Sequence, residues 1–528
     1  TGVTGERDQI SDDAAPLSVL VASALPAAAQ DLPARQQTLR DAIAWSHDLL
    51  GADEKALLHQ LAVFRGGAPL SAVVATAARG QLDAARVTQL LGALVDKSIL
   101  TASFPDDGAR YDLLDTVREY ALEQLAKAGS LGAAQLVHAE YFATVADAAR
   151  TELRGPDWLG CIGRLELEHD NLWAALTYAR DAPDPLVAVR LGVGLGWYFP
   201  LAERVSEGRS FLEAALAATP EQAPIQLRME LLAWLCFMAT EELDLDAAVQ
   251  TGQHALALAA AAPASSEAAL VRVLLALALA HSGDLESAAA LVEAAGAGYQ
   301  AASDDWGITL SSLVRGSVAA GAGDVATAAA MIAQGRQQAE AIGYGAFQPP
   351  ALLFEAWVAE QHNDWEAAAA AYRRAVEVSG GVGFHDHASV ALSGLGAIAF
   401  ARGDLDQAQA LFRQALATAG ADPTSWPVAH ARVRLAGILE AAGDTDTAQR
   451  LYHSVVDWSE TPRPHRSRET QFVVFNGSPG AAALSGLARL AAARGDHTTA
   501  QELQARAATV AARDGAPPHT LQTAATTT

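Results

Sequence analysis

Four stretches of the 528-residue chain carry side chains able to do chemistry, and each has a plain structural reading beside the chemical one. Glu168-His169-Asp170-Asn171 and His385-Asp386-His387 hold metal-ligating residue types. Adjacent residues on a helix point in different directions, so capping and inter-helix hydrogen bonding account better for the first run. A polar turn between helices accounts for the second. Gly192, Gly194 and Gly196 imitate a nucleotide-binding fingerprint, but no strand precedes them, and the helical pattern ending in Trp197-Tyr198-Phe199 points to close helix packing. Gly477-Ser478-Pro479-Gly480 lacks the spacing of a hydrolase nucleophile elbow. The expectation is a chain that binds rather than catalyses, with no cofactor and no metal.

Two sets of residues suit binding. Trp197, Phe237 and Trp357 share one helical phase, and Glu360 and Glu440 lie one turn further along theirs. An aromatic and acidic groove of this kind would take a protein or peptide partner, or a small-molecule effector. The bland alternative is that the rings fill the core between helices. The second set is Arg463, His465, Arg466 and Arg468, inside an insertion at 458–480 that continues into the strand-like Phe472-Val473-Val474-Phe475. A long insertion in a regular array is often a binding loop; a solvated loop, or one anchored by its arginines to acidic neighbours, is the alternative.

The elements that position these residues announce themselves by a stride. Gly283-Asp284, Gly323-Asp324, Asn363-Asp364, Gly403-Asp404 and Gly443-Asp444 recur every 40 residues, with Asp244 in phase and Gly495-Asp496 following after an extra 12. Glycine or asparagine ends a helix in the left-handed region, and aspartate caps the next one. Each pair therefore marks a tight helix-to-helix turn. Four residues on comes a small side chain (Ala288, Ala328, Ala368, Ala408, Ala448), and four further a larger one (Val292, Ile332, Tyr372, Phe412, Tyr452). Twelve residues before each alanine stands Ala276, Gly316, Ala356, Gly396 or Ala436, where an antiparallel helix would approach. This signature resembles the tetratricopeptide repeat, whose usual period is about 34 residues, so longer helices or loops are implied. Such units stack into a solenoid with a concave groove.

Upstream, Leu39–Leu50, Asp53–Phe64, Pro69–Ala78 and Ala84–Lys97 read as short amphipathic helices. Ile99–Ser103 and Arg110–Leu114 follow as a strand–turn–strand. Helices and then a β-hairpin describe a winged-helix domain. Within it, Leu32-Pro33-Ala34-Arg35-Gln36-Gln37-Thr38-Leu39-Arg40, Ala44-Trp45-Ser46-His47-Asp48-Leu49-Leu50 and Val63-Phe64-Arg65-Gly66-Gly67 are similar to bacterial STAND-type transcriptional regulators of the AfsR-like and LuxR types. So are Leu94-Val95-Asp96-Lys97-Ser98, Asp115-Thr116-Val117-Arg118-Glu119-Tyr120-Ala121 and Leu165-Glu166-Leu167-Glu168-His169-Asp170-Asn171-Leu172. The resemblance covers residues 32–215 closely and the repeats generically. It departs in having no Gly-x-x-x-x-Gly-Lys-Ser/Thr phosphate loop and no LuxR-like helix-turn-helix after the repeats, so an ATPase or effector module would lie upstream of Thr1 or have been lost.

Charge and composition narrow the partners. Thirty-six basic against 61 acidic residues leave a net charge of −25, a field that repels nucleic acid and anionic membrane. The candidate recognition helix sets Arg86 and Lys97 against Asp83 and Asp96, so DNA contact is not expected of it. Two distant cysteines and no membrane-length apolar run suggest a cytoplasmic protein. The reading is all-α dominated: 1–31 a linker or remnant of an upstream module, 32–130 a winged-helix domain, 131–515 tetratricopeptide-like hairpins, and 516–528 a tail. The expected role is sensing and relay; a free-standing scaffold that assembles complexes is the alternative.

Overall fold

A computed structural model of the chain describes residues 34–79, 83–105, 108–180, 184, 186–242, 244–260, 265–419, 425–461 and 478–513. The chain divides into two compact units, residues 1–134 and 135–528.

The first unit contains α1 (Ala34–Asp48), α2 (Ala52–Ala62), β1 (Ala68–Pro69), α3 (Leu70–Ala78), α4 (Ala84–Asp96), β2 (Leu100–Ser103), β3 (Arg110–Leu113) and α5 (Asp115–Lys127). Its sheet runs β1-β3-β2, both pairs antiparallel. The two-residue β1 was not foreseen, because Ala68 and Pro69 are too short to show a period. It forms because Gly66 and Gly67 adopt φ of 68° and 83°, turning the chain so that Ala68 meets Tyr111. Arg118 on α5 is buried and staples the unit by donating to the carbonyl of Phe64, to Asp112 Oδ1 at 2.5 Å and to the Leu113 carbonyl at 3.2 Å. Val87, Leu90, Leu91 and Leu94 fix α4 to the core at helical spacing.

The second unit is an array of helices. It opens with α6 (Leu131–Glu152, whose first turn falls at the division), α7 (Trp158–Leu167), α8 (His169–Arg180), α9 (Leu186–Leu195), α10 (Tyr198–Leu201) and α11 (Val205–Ala217). Regular hairpins follow: α12 (Ile225–Glu241) with α13 (Leu245–Ala259), α14 (Ser266–Ser282) with α15 (Leu285–Ala302), α16 (Asp305–Gly321) with α17 (Val325–Ala341), and α18 (Gln348–Gln361) with α19 (Trp365–Val382). The rest are α20 (His385–Ala401) with α21 (Leu405–Thr418), α22 (Trp426–Ala441) with α23 (Thr445–Glu460), and α24 (Pro479–Ala493) with α25 (His497–Arg513). Many of these helices run to 16–18 residues, and their length accounts for the 40-residue stride.

The five paired turns at the 40-residue stride, and the one at Gly495-Asp496, are built from the anticipated residues. Gly283, Gly323, Asn363, Gly403, Gly443 and Gly495 hold φ between 57° and 93°. The following aspartates accept from the third backbone N–H of the next helix, as Asp284 does from Ser287 at 3.1 Å and Asp404 from Gln407 at 3.0 Å. Ala288, Ala328, Ala368, Ala408 and Ala448 are completely buried. The larger residues one turn on press onto the facing small ones: a Cβ on Gly316 would stand 2.7 Å from Ile332, and one on Gly396 2.8 Å from Phe412. Gly194 is packed more tightly still, since its Cβ would meet the Ala146 carbonyl oxygen at 2.2 Å. The three glycines of α9 and its end are thus helix-contact residues.

Gly194→Ala should lower stability by about 3 kcal/mol or prevent folding, because the clash is with backbone. Gly163→Ala, on α7 with nothing within 4 Å, should be neutral or raise stability by about 0.5–1 kcal/mol. Thermal melting of the two variants beside the parent chain checks the contrast.

Candidate functional site

The stride that builds the hairpins also aligns their inner faces. Trp197, Phe237, Leu277 and Ser317 stand 40 residues apart, and all four line one cavity of about 190 Å³. So do Leu201, Glu241, His281 and Gly321, each four residues later. Four residues is about one helical turn, so from α12 onward the two sets form adjacent rows on the first helix of successive hairpins, and Trp197 and Leu201 extend them at the turn into α10 and at its end. The far side comes from the turn Gly345–Phe347 and from Phe384 and His387 at the start of α20.

The array curls far enough for its beginning to touch this later segment. The Trp197 indole donates to the Tyr344 hydroxyl at 2.7 Å. Trp158 packs 6.1 Å from Tyr344 and 5.6 Å from Phe384, ring to ring. Trp197 also stacks on Trp234 at 5.5 Å and meets Phe237 at 5.8 Å. Behind them the Arg154 guanidinium lies 4.6 Å from the centre of the Trp306 ring and 5.8 Å from that of Trp234. Arg154 bonds Glu230 at 3.2 Å, and Arg150 bonds the same buried carboxylate, tying the end of α6 to α12. Burial pushes the Tyr344 phenol far above its ordinary range, so it stays protonated.

Of the five groove residues read from the sequence, Trp197 and Phe237 lie side by side in the cavity wall. Trp357 is placed instead in the core with Phe354, Ile332 and Ala328. Glu360 and Glu440 do not line the cavity either. Each accepts from a tyrosine of its partner helix: Tyr372 to Glu360 at 3.0 Å, and Tyr452 to Glu440 at 2.7 Å. Three residues along a helix turn about 300° and four about 400°, so the former face the hairpin partner and the latter face the cavity. Glu241 and His281 occupy that second row and were missed; the stride applied four residues on would have found them. The insertion residues Arg463, His465, Arg466 and Arg468, with the strand-like run after them, lie outside the described residues.

The other runs of metal-ligating residue types are hydrogen-bonded or split by the helix. Asn171 donates to Glu168 at 2.7 Å, and its side-chain oxygen stands 3.2 Å from His138 Nε2. His385 is exposed while His387 is buried. Among the described residues no group of three or more His, Cys, Asp or Glu is placed to hold a metal ion. On the winged helix, Arg86 bonds Asp53 at 2.5 Å and Lys97 bonds Glu54 at 2.6 Å, both on α2. The Lys97 ammonium, with the Gly51 N–H, holds the Glu54 carboxyl below its usual range.

Comparisons with known proteins give the class. Residues 50–126 match the winged helix-turn-helix domain family and residues 399–466 the tetratricopeptide repeat. A Mycobacterium tuberculosis protein described by inference as an HTH-type transcriptional regulator is 32% identical over 286 residues, which is 52% of this chain and 31% of the relative. An uncharacterised protein of the same organism is 39% identical over 99 residues, 19% of this chain and 25% of that one. The alignments thus span about a third or less of the curated relatives' length. Among solved structures, the STAND protein with a tetratricopeptide repeat sensor from Pyrococcus horikoshii superposes with a TM-score of 0.42 at 14% identity, covering 78% of this chain and 63% of that one. The Rap protein complexed with competence and sporulation factor gives 0.49 at 10% identity, covering 74% and 100%. The chain is a winged helix-turn-helix followed by a tetratricopeptide-like array. Among the described residues no helix is long and apolar enough to cross a membrane.

The two tyrosine–carboxyl pairs should respond differently to charge removal. Burial raises the Glu360 carboxyl above its ordinary range, against the pull of Tyr372 and Arg434. A raised folded-state pKa gives stability that is complete below the unfolded value of about 4.3 and is lost as pH rises through the folded value. Glu360→Gln should therefore leave the melting temperature at pH 7.5 unchanged or higher. Glu440 is also paired with Arg489, at 2.9 and 3.1 Å, so Glu440→Gln should cost about 1 kcal/mol. Scanning fluorimetry of both variants from pH 4.5 to 8 measures the difference.

Proposed function

We propose that these residues form the sensor and relay portion of a bacterial signal-transduction regulator. The helical array takes a protein, peptide or small-molecule effector on its inner face. The resulting change reaches the winged helix and, through it, an effector module elsewhere in a longer polypeptide, in the service of transcriptional regulation. The observation that carries this reading is the union, in one chain, of a winged helix-turn-helix with an array whose inner face holds a formed aromatic cavity. Binding and relay, rather than catalysis, is the proposed work.

The winged helix is proposed to act by protein contact. Its family favours DNA, but the exposed face of α4 offers Ala85, Arg86, Thr88, Gln89, Gly92 and Asp96, and its cation Arg86, like Lys97 just past its end, is bonded to α2. A DNA-reading helix needs free basic and amide groups against a polyanion.

Hydrogen exchange of the full chain, with and without a partner captured by the array, tests the relay. Altered protection within residues 50–126 is expected; a change confined to the array would contradict it. Fluorescence anisotropy with duplex DNA tests the second point: no binding beyond a weak, salt-sensitive background is expected, and sequence-selective binding would overturn it.

A further inference from the structure

The cavity has a chemical bias sharper than a general partner groove, and its reading rests on the sensor role proposed above. Four indole and phenyl rings stand in its lining, Trp197, Phe237, Phe347 and Phe384, together with the imidazoles of His281 and His387. Among the described residues that line it there is no Lys or Arg, and Glu241 brings the one carboxyl. Ring faces carry partial negative charge and attract organic cations, most of all where water is displaced. The molecule already uses this attraction on the same aromatic cluster. Arg154 sits over Trp306 and Trp234, and both rings pack on Trp197.

Size narrows the occupant further. An apolar cavity of about 150 Å³ accommodates benzene, and this one measures about 190 Å³. A helix or an extended peptide could place one side chain here, whereas a molecule of one ring and a short substituent fills it. The net charge of −25 adds a long-range attraction for cations and repels anions of the same shape.

We propose that this cavity is a binding site for a small organic ammonium ion with an apolar or aromatic body, its cationic end held by Glu241 and the ring faces of Trp197 and Phe237. The body lies against Leu277 and Val314. Occupancy links the early helices to the segment from Ala346 to His387, because both contribute to the wall. The same ligand is thus placed to favour the curled form of the array, in which Trp197 bonds Tyr344.

Calorimetric titration of the full chain with benzyltrimethylammonium, benzyl alcohol and phenylacetate tests this directly. The ammonium should bind about tenfold more tightly than the alcohol, the scale of a buried cation–ring interaction, and phenylacetate should give no heat. Glu241→Gln and Phe237→Leu should each remove most of that preference, and Ala280→Phe, which fills the cavity from its half-buried lining, should abolish binding of all three. Circular dichroism establishes that each variant is folded, and a folded Ala280→Phe variant suffices if the others are not. Equal affinity for alcohol and ammonium, a preference that survives Glu241→Gln, or no binding to the folded parent at millimolar concentration would each overturn the proposal. If the probes fail while a captured partner still alters protection in residues 50–126, the ammonium site falls and the sensor role stands.

Discussion

The array depends on one constraint: the turn between the two helices of a hairpin is fixed by a left-handed residue followed by a capping aspartate. The left-handed residue stops one helix and the aspartate satisfies the free N–H groups of the next, so neither helix end can slide without losing its partner. Because this turn recurs at a constant interval, each hairpin presents the same positions to its neighbour. The small residue facing a large one, Gly316 under Ile332 or Gly396 under Phe412, is a consequence of that register. The cavity wall is another.

Register also explains why an alanine-rich chain with few aromatics can be specific. Small residues bring the helices close, and one group of large rings gathers where the curl brings distant hairpins together. Trp158, Trp197, Trp234, Trp306, Tyr344, Phe347 and Phe384 form one connected aromatic group spanning more than 200 residues of sequence. Its hydrogen bond from Trp197 to Tyr344 joins residues 147 apart. A contact that distant cannot come from neighbouring hairpins in a straight stack. It reports curvature.

Much of this is legible in the sequence. The Gly-Asp turns, the alternation of small and large side chains and the winged-helix elements all follow from local rules of capping and periodicity. What escaped has physical reasons. β1 is two residues long and exists only because β3 receives it. Glu360 and Glu440 were put in the groove by a three-residue step, when a four-residue step stays in the cavity-facing row and reaches Glu241 and His281. Tyr344, Phe347 and Phe384 could not be assigned to the cavity from periodicity, since they lie at the starts of hairpins and reach it only because the array curls. The insertion arginines fall outside the described residues.

The array curls so that its beginning meets the segment from Tyr344 to Phe384, with Trp197 and Tyr344 as the joint. A double-mutant cycle of Trp197→Phe, Tyr344→Phe and the pair, followed by denaturant unfolding, measures that joint directly. The account predicts a coupling energy of about 1 kcal/mol, as for a buried hydrogen bond. Strictly additive losses would mean that the two residues do not meet, and that the array is open.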